Sequence, residues 1–178
     1  MRQEERRART LAAVMNAARA AFARTGYAET SLDAIAAEAH VSKGAVYTYY
    51  PAKLDLFLAV TDSVLEEATR RMERVGLGVA LGEPPQTAAQ RYLGEDGDST
   101  HVALVTEVWR MAAAEEAVRE KLETFRRERI AELGRHALTA GKTATEAIGE
   151  AEVVAKLIDA ETLDLRLELA TKLERAAS

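Results

Sequence analysis

The chain has no cysteine in its 178 residues, only three prolines, and aromatic side chains at just 5% of its positions. Without cysteine it forms neither disulfides nor thiolate metal sites, which fits a reducing compartment. No apolar stretch approaches the length of a membrane helix. The first residues, Met-Arg-Gln-Glu-Glu-Arg-Arg, also lack the apolar core of a secretory signal. We therefore expect a cytoplasmic protein with no membrane partner.

The sequence patterns of common enzymes and metal sites are missing too. His40, His101 and His136 show no metal-ligand spacing, and there is no His-Glu-x-x-His motif or Gly-rich phosphate loop. The acidic run over residues 94–98 lacks the spaced ligands of a calcium loop, so we predict an ordinary loop there. We expect no metal, no cofactor and no catalytic residues, and an enzyme is the less favoured class of function.

The residues that are abundant favour helix. Hydrophobic residues make up 48% of the chain and charged residues 30%, and Ala, Leu, Glu and Arg are prominent. These four residue types favour the α-helix. A chain of this length also buries a real core, as one large or two small domains. The composition therefore predicts an all-α globular fold.

A short segment from Ser42 to Pro51 carries cations, hydroxyls and phenols at close spacing. Because Ser42 is a natural N-cap and proline cannot continue a helix, the segment predicts a helix of about two turns. So short a helix has to pack against neighbours. A helix over residues 32–39, capped by either Thr30 or Ser31, supplies one. Two helices joined by a tight turn predict a helix-turn-helix, whose second helix enters a DNA major groove by its N-terminal end.

The charge distribution supports this prediction weakly. The net charge of the chain is −5, which by itself disfavours binding to DNA. Residues 1–53 nevertheless carry eight Lys and Arg against five Asp and Glu, a net +3, so the remaining residues carry −8. The basic excess therefore lies in the part of the chain that contains the predicted motif.

A longer helix is predicted upstream, over residues 4–24. Apolar side chains recur there at helical spacing: Leu11, Val14, Met15, Ala18 and Phe22. Gly26 is expected to end this helix in a left-handed conformation. Arg2, Arg6, Arg7 and Arg9 are interpreted as a solvated helix start, because Glu4 and Glu5 dilute their charge. Contact of these arginines with phosphates or a minor groove is the alternative.

Residues 11–60 taken together resemble the DNA-binding domain of the TetR family. The residues that carry the resemblance are Leu11, Ala17, Ala18, Phe22, Gly26, Tyr27, Thr30, Ser31, Ile35, Ala36, Val41, Ser42, Lys43, Gly44, Val46, Tyr47, Tyr50, Pro51, Lys53, Leu56, Phe57 and Val60. The resemblance covers about the first third of the chain. It implies a cytoplasmic, dimeric, all-helical regulator, usually a repressor that releases DNA when a small molecule enters its C-terminal domain.

The resemblance also assigns roles to single residues. Contacts with base edges and the nearby backbone fall to Lys43, Gly44, Ala45 and Tyr47, and phosphate contacts to Thr30, Ser42, Thr48, Tyr49 and Lys53. The chemistry is suitable, because hydroxyls, phenols, ammonium groups and helix N-termini bind phosphate, and a lysine suits a guanine edge. Val41, Val46 and Tyr50 are predicted to be core. His40 replaces the family's usual glycine where a positive φ is often needed, at a cost of about 1 kcal/mol.

The domain organisation follows from the helical pattern. Residues 1–53 are predicted to form the N-terminal DNA-binding domain, and a connecting helix spans 52–75. The boundary is placed before a run of helix breakers, which comprises Gly76, Gly78, Gly82, Pro84 and Pro85. Residues 76–178 are predicted to form a helical effector-binding and dimerisation domain, with helices over 85–93, 99–113, 115–140 and 151–176.

The C-terminal domain offers candidates for two surfaces. An apolar effector cavity is predicted from Tyr92, His101, Trp109, Met111, Phe125 and His136. A dimer interface is predicted along the last helix, at Val154, Ile158, Leu165, Leu169 and Leu173, because two apolar stripes on a terminal helix exceed the needs of one small domain. This helix and the one before it would form a four-helix bundle with their copies; burial of both stripes within one chain is the alternative. A homodimer would read a near-palindromic operator. A DNA-binding regulator that responds to no small molecule is the alternative.

Overall fold

The computed structural model describes residues 2–80, 99–139 and 143. Six α-helices account for the secondary structure of this part of the chain, and the all-α prediction is confirmed. They are α1 (Arg2–Glu29), α2 (Leu32–Glu38), α3 (Lys43–Tyr49), α4 (Lys53–Ala80), α5 (Ser99–Ala114) and α6 (Glu116–Thr139). The helix predicted over 85–93, the acidic loop over 94–98 and the terminal helix over 151–176 lie outside the described residues.

One hydrophobic core joins all six helices. Phe22 and Phe57 are fully buried at its centre, with their ring centroids 5.1 Å apart in an edge-to-face arrangement. The core continues into α5 and α6 through fully or nearly fully buried aliphatic side chains, which are Leu104, Val108, Met111, Val118 and Leu122. Helix α1 packs along α5, and α4 packs along α6. The N-terminal helices are therefore held directly against the C-terminal ones.

Helix α1 continues beyond its predicted end. Gly26 has φ 75° and ψ 174°, so the positive φ expected there is confirmed, but the residue makes a kink and helical turns resume up to Glu29. The short continuation is held by contacts from two other helices, described below. A sequence pattern local to α1 could not reveal that support.

Helix α4 also exceeds its prediction. It runs to Ala80 and passes through Gly76 and Gly78, which were expected to break the helix. Glycine costs about 1 kcal/mol relative to alanine in a helix interior, and packing of the remaining residues readily offsets that amount. The domain boundary predicted before Gly76 therefore falls within a continuous helix, and the division into domains stays a prediction.

Candidate nucleic-acid interface

The turn between α2 and α3 has the geometry of a Schellman motif. His40 lies just past the end of α2 with φ 55°, so the positive φ predicted for this position is confirmed. The N–H of His40 donates to the carbonyl of Ala37 (3.1 Å), and the N–H of Val41 donates to that of Ala36 (3.0 Å). These two bonds satisfy the last carbonyls of α2 and turn the chain sharply. Histidine thus adopts the conformation for which glycine is usual.

Both helices of the motif begin at a capping serine. The Ser31 hydroxyl accepts a hydrogen bond from the N–H of Ala34 (3.1 Å), and the Ser42 hydroxyl accepts one from the N–H of Ala45 (3.2 Å). Of the two caps considered for α2, Ser31 is therefore correct and Thr30 is wrong. The predicted cap of α3 is confirmed. Each cap satisfies a donor of the first turn and fixes where the helix begins.

Helix α3 is anchored on one side and open on the other. Val46 is fully buried, and Val41 and Tyr50 pack against the core as predicted. Ser42, Lys43, Gly44 and Thr48 are exposed, as is Tyr47, whose side chain is 47% exposed. Ala45 and Tyr49 are half-buried. The first turn of α3 and the side chains that face away from Val46 thus form a continuous polar surface.

The start of α1 lies beside this surface. A groove of about 560 Å³ is lined by Gln3, Arg6, Arg7, Thr10, Ala45, Thr48 and Tyr49. The guanidinium carbon of Arg7 lies 5.3 Å from the centroid of the Tyr49 ring, which is within cation–π range. Arg6, Arg7 and Arg9, which were interpreted as part of a solvated helix start, are indeed exposed, but Arg6 and Arg7 add positive charge beside the polar surface of α3.

Lys43 forms an ion pair with Asp33 of α2. The hydrogen bond to Asp33 and the attraction between the two charges raise the pKa of Lys43, so the ammonium group stays charged. Both side chains reach solvent, and an exposed ion pair is worth little net free energy. Lys43 can therefore exchange this partner for an acceptor on another molecule at small cost.

Two of the predicted phosphate contacts are engaged inside the protein. The side chain of Thr30 is buried, and its hydroxyl donates to the carbonyl of Gly26 (2.6 Å). The Lys53 ammonium group donates to the carbonyls of Tyr27 (2.7 Å), Ala28 (3.2 Å) and Thr30 (2.9 Å). These residues therefore hold the end of α1 against the start of α4, and neither side chain lies on the open face of α3.

The predicted effector residues whose side chains are described lie on α5 and α6. Tyr92 lies outside the described residues, as does the side chain of His136. His101 and Met111 are buried in α5, Trp109 is half-buried, and its ring lies 4.9 Å from the guanidinium carbon of Arg126. Phe125 lines a groove of about 700 Å³ between α4 and α6, together with Leu65 and four carboxylates, which are Asp62, Glu66, Glu120 and Glu128.

Three further expectations concern the dimer interface, metal sites and membrane helices. The predicted dimer residues, Val154, Ile158, Leu165, Leu169 and Leu173, lie outside the described residues. Within residues 2–80 and 99–139, no group of three or more His, Asp or Glu side chains is arranged to hold a metal ion. No helix in the part of the chain that the structure covers is long and apolar enough to cross a membrane.

Comparisons with known proteins agree with this geometry. Residues 14–60 match the model of the bacterial regulatory proteins of the tetR family. YuxN of Bacillus subtilis (strain 168), an HTH-type transcriptional regulator, is 35% identical over 72 residues, which are 40% of this chain and 24% of YuxN. A second HTH-type regulator of that organism, YerO, is 30% identical over 73 residues, 41% of this chain and 25% of YerO. The chain thus matches about a quarter of the length of these relatives.

Solved structures extend the likeness to the C-terminal helices. A transcriptional regulator from Rhodococcus sp. Rha1 superposes with a TM-score of 0.67 at 19% identity, covering 85% of this chain and 81% of the other. The multidrug binding protein EbrR, in complex with imidazole, gives a TM-score of 0.58 at 26% identity over 85% of this chain and 77% of EbrR. Residues 14–60 of the chain therefore form a helix-turn-helix domain of the tetR family of bacterial regulatory proteins.

Proposed function

We propose that the chain is a sequence-specific transcriptional regulator, a repressor that binds a near-palindromic operator as a homodimer. The observation that carries this proposal is the open first turn of α3, where Lys43, Gly44 and Tyr47 are exposed while Val46 anchors the helix in the core. A helix held in this way can enter a major groove by its N-terminal end. The family match of residues 14–60 supports the same role.

The exposed groups suit the two kinds of contact that such a protein needs. Lys43 can exchange Asp33 for the acceptor atoms of a guanine edge, and Ala45 can pack on a thymine methyl group. The hydroxyl of Ser42 and the phenol of Tyr49 can donate to phosphates, as can the arginines at the start of α1. The exposed Thr48 hydroxyl donates to the carbonyl of Gly44 (2.7 Å) and can donate to a phosphate only by leaving it. Base contacts would then come from the first turn of α3, with phosphate contacts on both sides of it.

Selection of bound sequences from random duplex DNA tests the proposal directly. Successive major grooves on one face of DNA lie about 34–36 Å apart, so a dimer is expected to enrich two related half-sites about one helical turn apart. Enrichment of one palindrome with a fixed spacing supports the proposal. Selection of unrelated sequences, or no retention of any duplex at low salt, would refute it.

Lys43 and Arg7 are expected to contribute differently to binding. Lys43→Ala should lower affinity for the selected operator more than for a random duplex, because a base contact is lost, and discrimination should fall by roughly 1–3 kcal/mol. Arg7→Ala should weaken both duplexes equally and reduce the slope of log affinity against log salt by about one. Fluorescence anisotropy titrations at four salt concentrations measure both effects. Equal behaviour of the two variants contradicts this division.

The dimer is proposed to form through the terminal helix predicted over residues 151–176. A charge placed within an apolar interface has to be buried without a partner, which is strongly unfavourable. Leu165→Glu or Leu169→Glu is therefore expected to convert the protein to monomers, whereas Glu168→Gln, at a position outside both apolar stripes, should leave the dimer intact. Light scattering after size-exclusion chromatography gives the mass. An unchanged mass for both leucine variants counts against this interface.

Release by a small hydrophobic or aromatic effector completes the proposal. EbrR, which shares the fold, is a multidrug binding protein with imidazole bound. A ligand can shift the protein away from DNA only if it binds the DNA-free state more tightly. A compound that raises the melting temperature and also weakens operator binding would support the effector. If no compound in a broad library does both, the chain is instead a regulator without an effector.

A further inference from the structure

The kink in α1 lies directly against α5. Gly26 interrupts the helix with its positive φ, and the N–H of the following residue, Tyr27, donates a hydrogen bond to the carboxylate of Glu107. The two residues are 80 positions apart in the chain. The space is tight, because a Cβ atom added to Gly26 would lie 3.3 Å from a Glu107 oxygen. The Glu107 side chain of α5 thus binds the backbone near the end of α1.

Glu107 holds this position as a buried, charged group. Only 7% of the residue is exposed. Burial alone would raise the pKa of the Glu107 carboxyl, but the hydrogen bonds from Arg110 and from the Tyr27 N–H outweigh burial, and the pKa is lowered overall. The Arg110 guanidinium donates to both carboxylate oxygens, one bond being 2.8 Å long. The carboxylate is therefore ionised at neutral pH and fixed in orientation before it meets Tyr27.

The segment that Glu107 contacts, residues 27–29 at the end of α1, directly precedes the helix-turn-helix. The Tyr27 ring packs edge-to-face on Phe57, with centroids 5.1 Å apart, and the Lys53 ammonium group donates to the carbonyls of Tyr27 and Thr30. Helix α2 begins at Leu32, shortly after the segment ends. A displacement of α5 relative to the segment would therefore be passed to α2 and α3.

The apolar contacts between α1 and α5 do not fix orientation by themselves. Burial of apolar surface is non-directional, and packed helices can slide by small amounts at low cost. A hydrogen bond to a charged group is directional and stronger than a neutral one. The bond from Tyr27 to Glu107 is thus a directional contact between α1 and α5, unlike the apolar packing around it.

We propose that Glu107 is a positioning residue, which fixes the orientation of the DNA-binding domain and thereby the half-site spacing that a dimer accepts. The inference rests on the proposed function, because spacing has meaning only for a dimer that reads two half-sites. Glu107 does not touch DNA. Its loss changes the distance between two reading helices, and the bases that each helix recognises stay the same.

Two substitutions of Glu107 distinguish the effect of its hydrogen bond with Tyr27 from the effect of its negative charge. Glu107→Asp keeps the negative charge but shortens the side chain by one methylene, roughly 1.5 Å, so the carboxylate no longer reaches the Tyr27 N–H. Glu107→Gln keeps the reach and an acceptor oxygen but removes the charge. Selection from a duplex library with one fixed half-site pair and spacers of varied length is the assay. Wild type is expected to enrich one spacer length sharply.

The aspartate variant is expected to enrich the same half-site over a broader range of spacers. Its affinity for the wild-type spacing should fall about fivefold to tenfold, a size usual for coupling between sites. The glutamine variant keeps the hydrogen bond without the charge, so it should broaden the preference less than the aspartate variant does. A loss of stability alone would lower binding to all spacers equally. The inference is overturned if the aspartate variant keeps the wild-type spacing and sharpness, or if glutamine broadens it as much as aspartate does.

A third variant keeps the test decisive if Glu107→Asp does not fold. Arg110 orients the carboxylate, but its side chain is 54% exposed, so Arg110→Met is expected to fold. A smaller broadening in the same direction is expected, and unchanged sharpness overturns the inference. If wild type itself selects no paired half-sites, the proposed function fails and the inference fails with it. If the wild type sharply selects one spacing of a palindrome and all three variants do the same, only this inference is refuted and the proposed function stands.

Discussion

Replacement of Gly44 by glutamate is expected to abolish specific DNA binding and leave the fold at least as stable as that of the wild type. Gly44 lies in the first turn of α3, and a Cβ atom added there would meet nothing within 4 Å. Glutamate has a higher helix propensity than glycine by about half a kcal/mol, and a negative charge near a helix N-terminus is favourable. The fold therefore has no reason to lose stability.

The same substitution acts against DNA in two ways. The first turn of α3 is the part proposed to approach the bases most closely, so a long side chain at Gly44 keeps the helix away from the groove. Its carboxylate also repels the phosphates. We expect affinity for the operator to fall at least 100-fold, which corresponds to roughly 3 kcal/mol. Anisotropy titration gives the affinity, and thermal unfolding gives the stability.

Gly44→Ala is the matched control. It should stabilise the protein by about 0.5–1 kcal/mol, because alanine restricts the unfolded chain and favours helix. Its single methyl group projects little, so operator affinity should fall by no more than about tenfold. If the glutamate variant binds the operator within about threefold of wild type, Gly44 does not face DNA and the proposed docking of α3 is wrong.

Features encoded by neighbouring residues were predictable from the sequence. The cap of α3 at Ser42, the positive φ values of Gly26 and His40, and the buried position of Val46 all follow from local rules of capping, turn geometry and helical spacing. Each depends on residues within about one helical turn. These features also fix which face of α3 is open, and this is why the candidate interface could be anticipated.

Features that depend on distant parts of the chain were not predictable. Lys53 and Thr30 have the chemistry of phosphate ligands, yet a carbonyl oxygen is as good an acceptor as a phosphate oxygen, and only the fold decides which is within reach. The same holds for Glu107, one of many glutamates on a helical pattern, whose partner is 80 residues away. The position of Arg7 beside Tyr49 equally depends on how α1 crosses α3.

The role of Lys53 leads to the second large prediction, a loss of stability in Lys53→Met. Methionine retains an unbranched side chain but removes the ammonium group. Three backbone carbonyls, those of Tyr27, Ala28 and Thr30, then lose their donor. The cation also lies 4.3 Å from the centroid of the Tyr27 ring, and this attraction is lost as well. Each bond to a charged donor contributes about 1.5–3 kcal/mol when no water replaces it.

Water partly replaces the lost donor, because Lys53 is only half-buried. We therefore expect a loss of about 2 kcal/mol, which lowers the melting temperature by roughly 4–8 °C for a chain of this size. Lys121→Met is the control, because Lys121 pairs with an exposed carboxylate, that of Asp62. An exposed pair contributes at most about 1 kcal/mol, so the control should melt close to wild type.

The salt dependence of DNA binding decides between the two roles of Lys53. If Lys53 holds the end of α1, the folded Lys53→Met protein keeps the wild-type slope of log affinity against log salt, because no phosphate contact is lost. If Lys53 binds a phosphate, the slope falls by about one and the melting temperature stays near that of wild type. The contacts of the ammonium group with three carbonyls favour the first result. If the ammonium group left these carbonyls to bind a phosphate, the contact between the end of α1 and the start of α4 would be weakened.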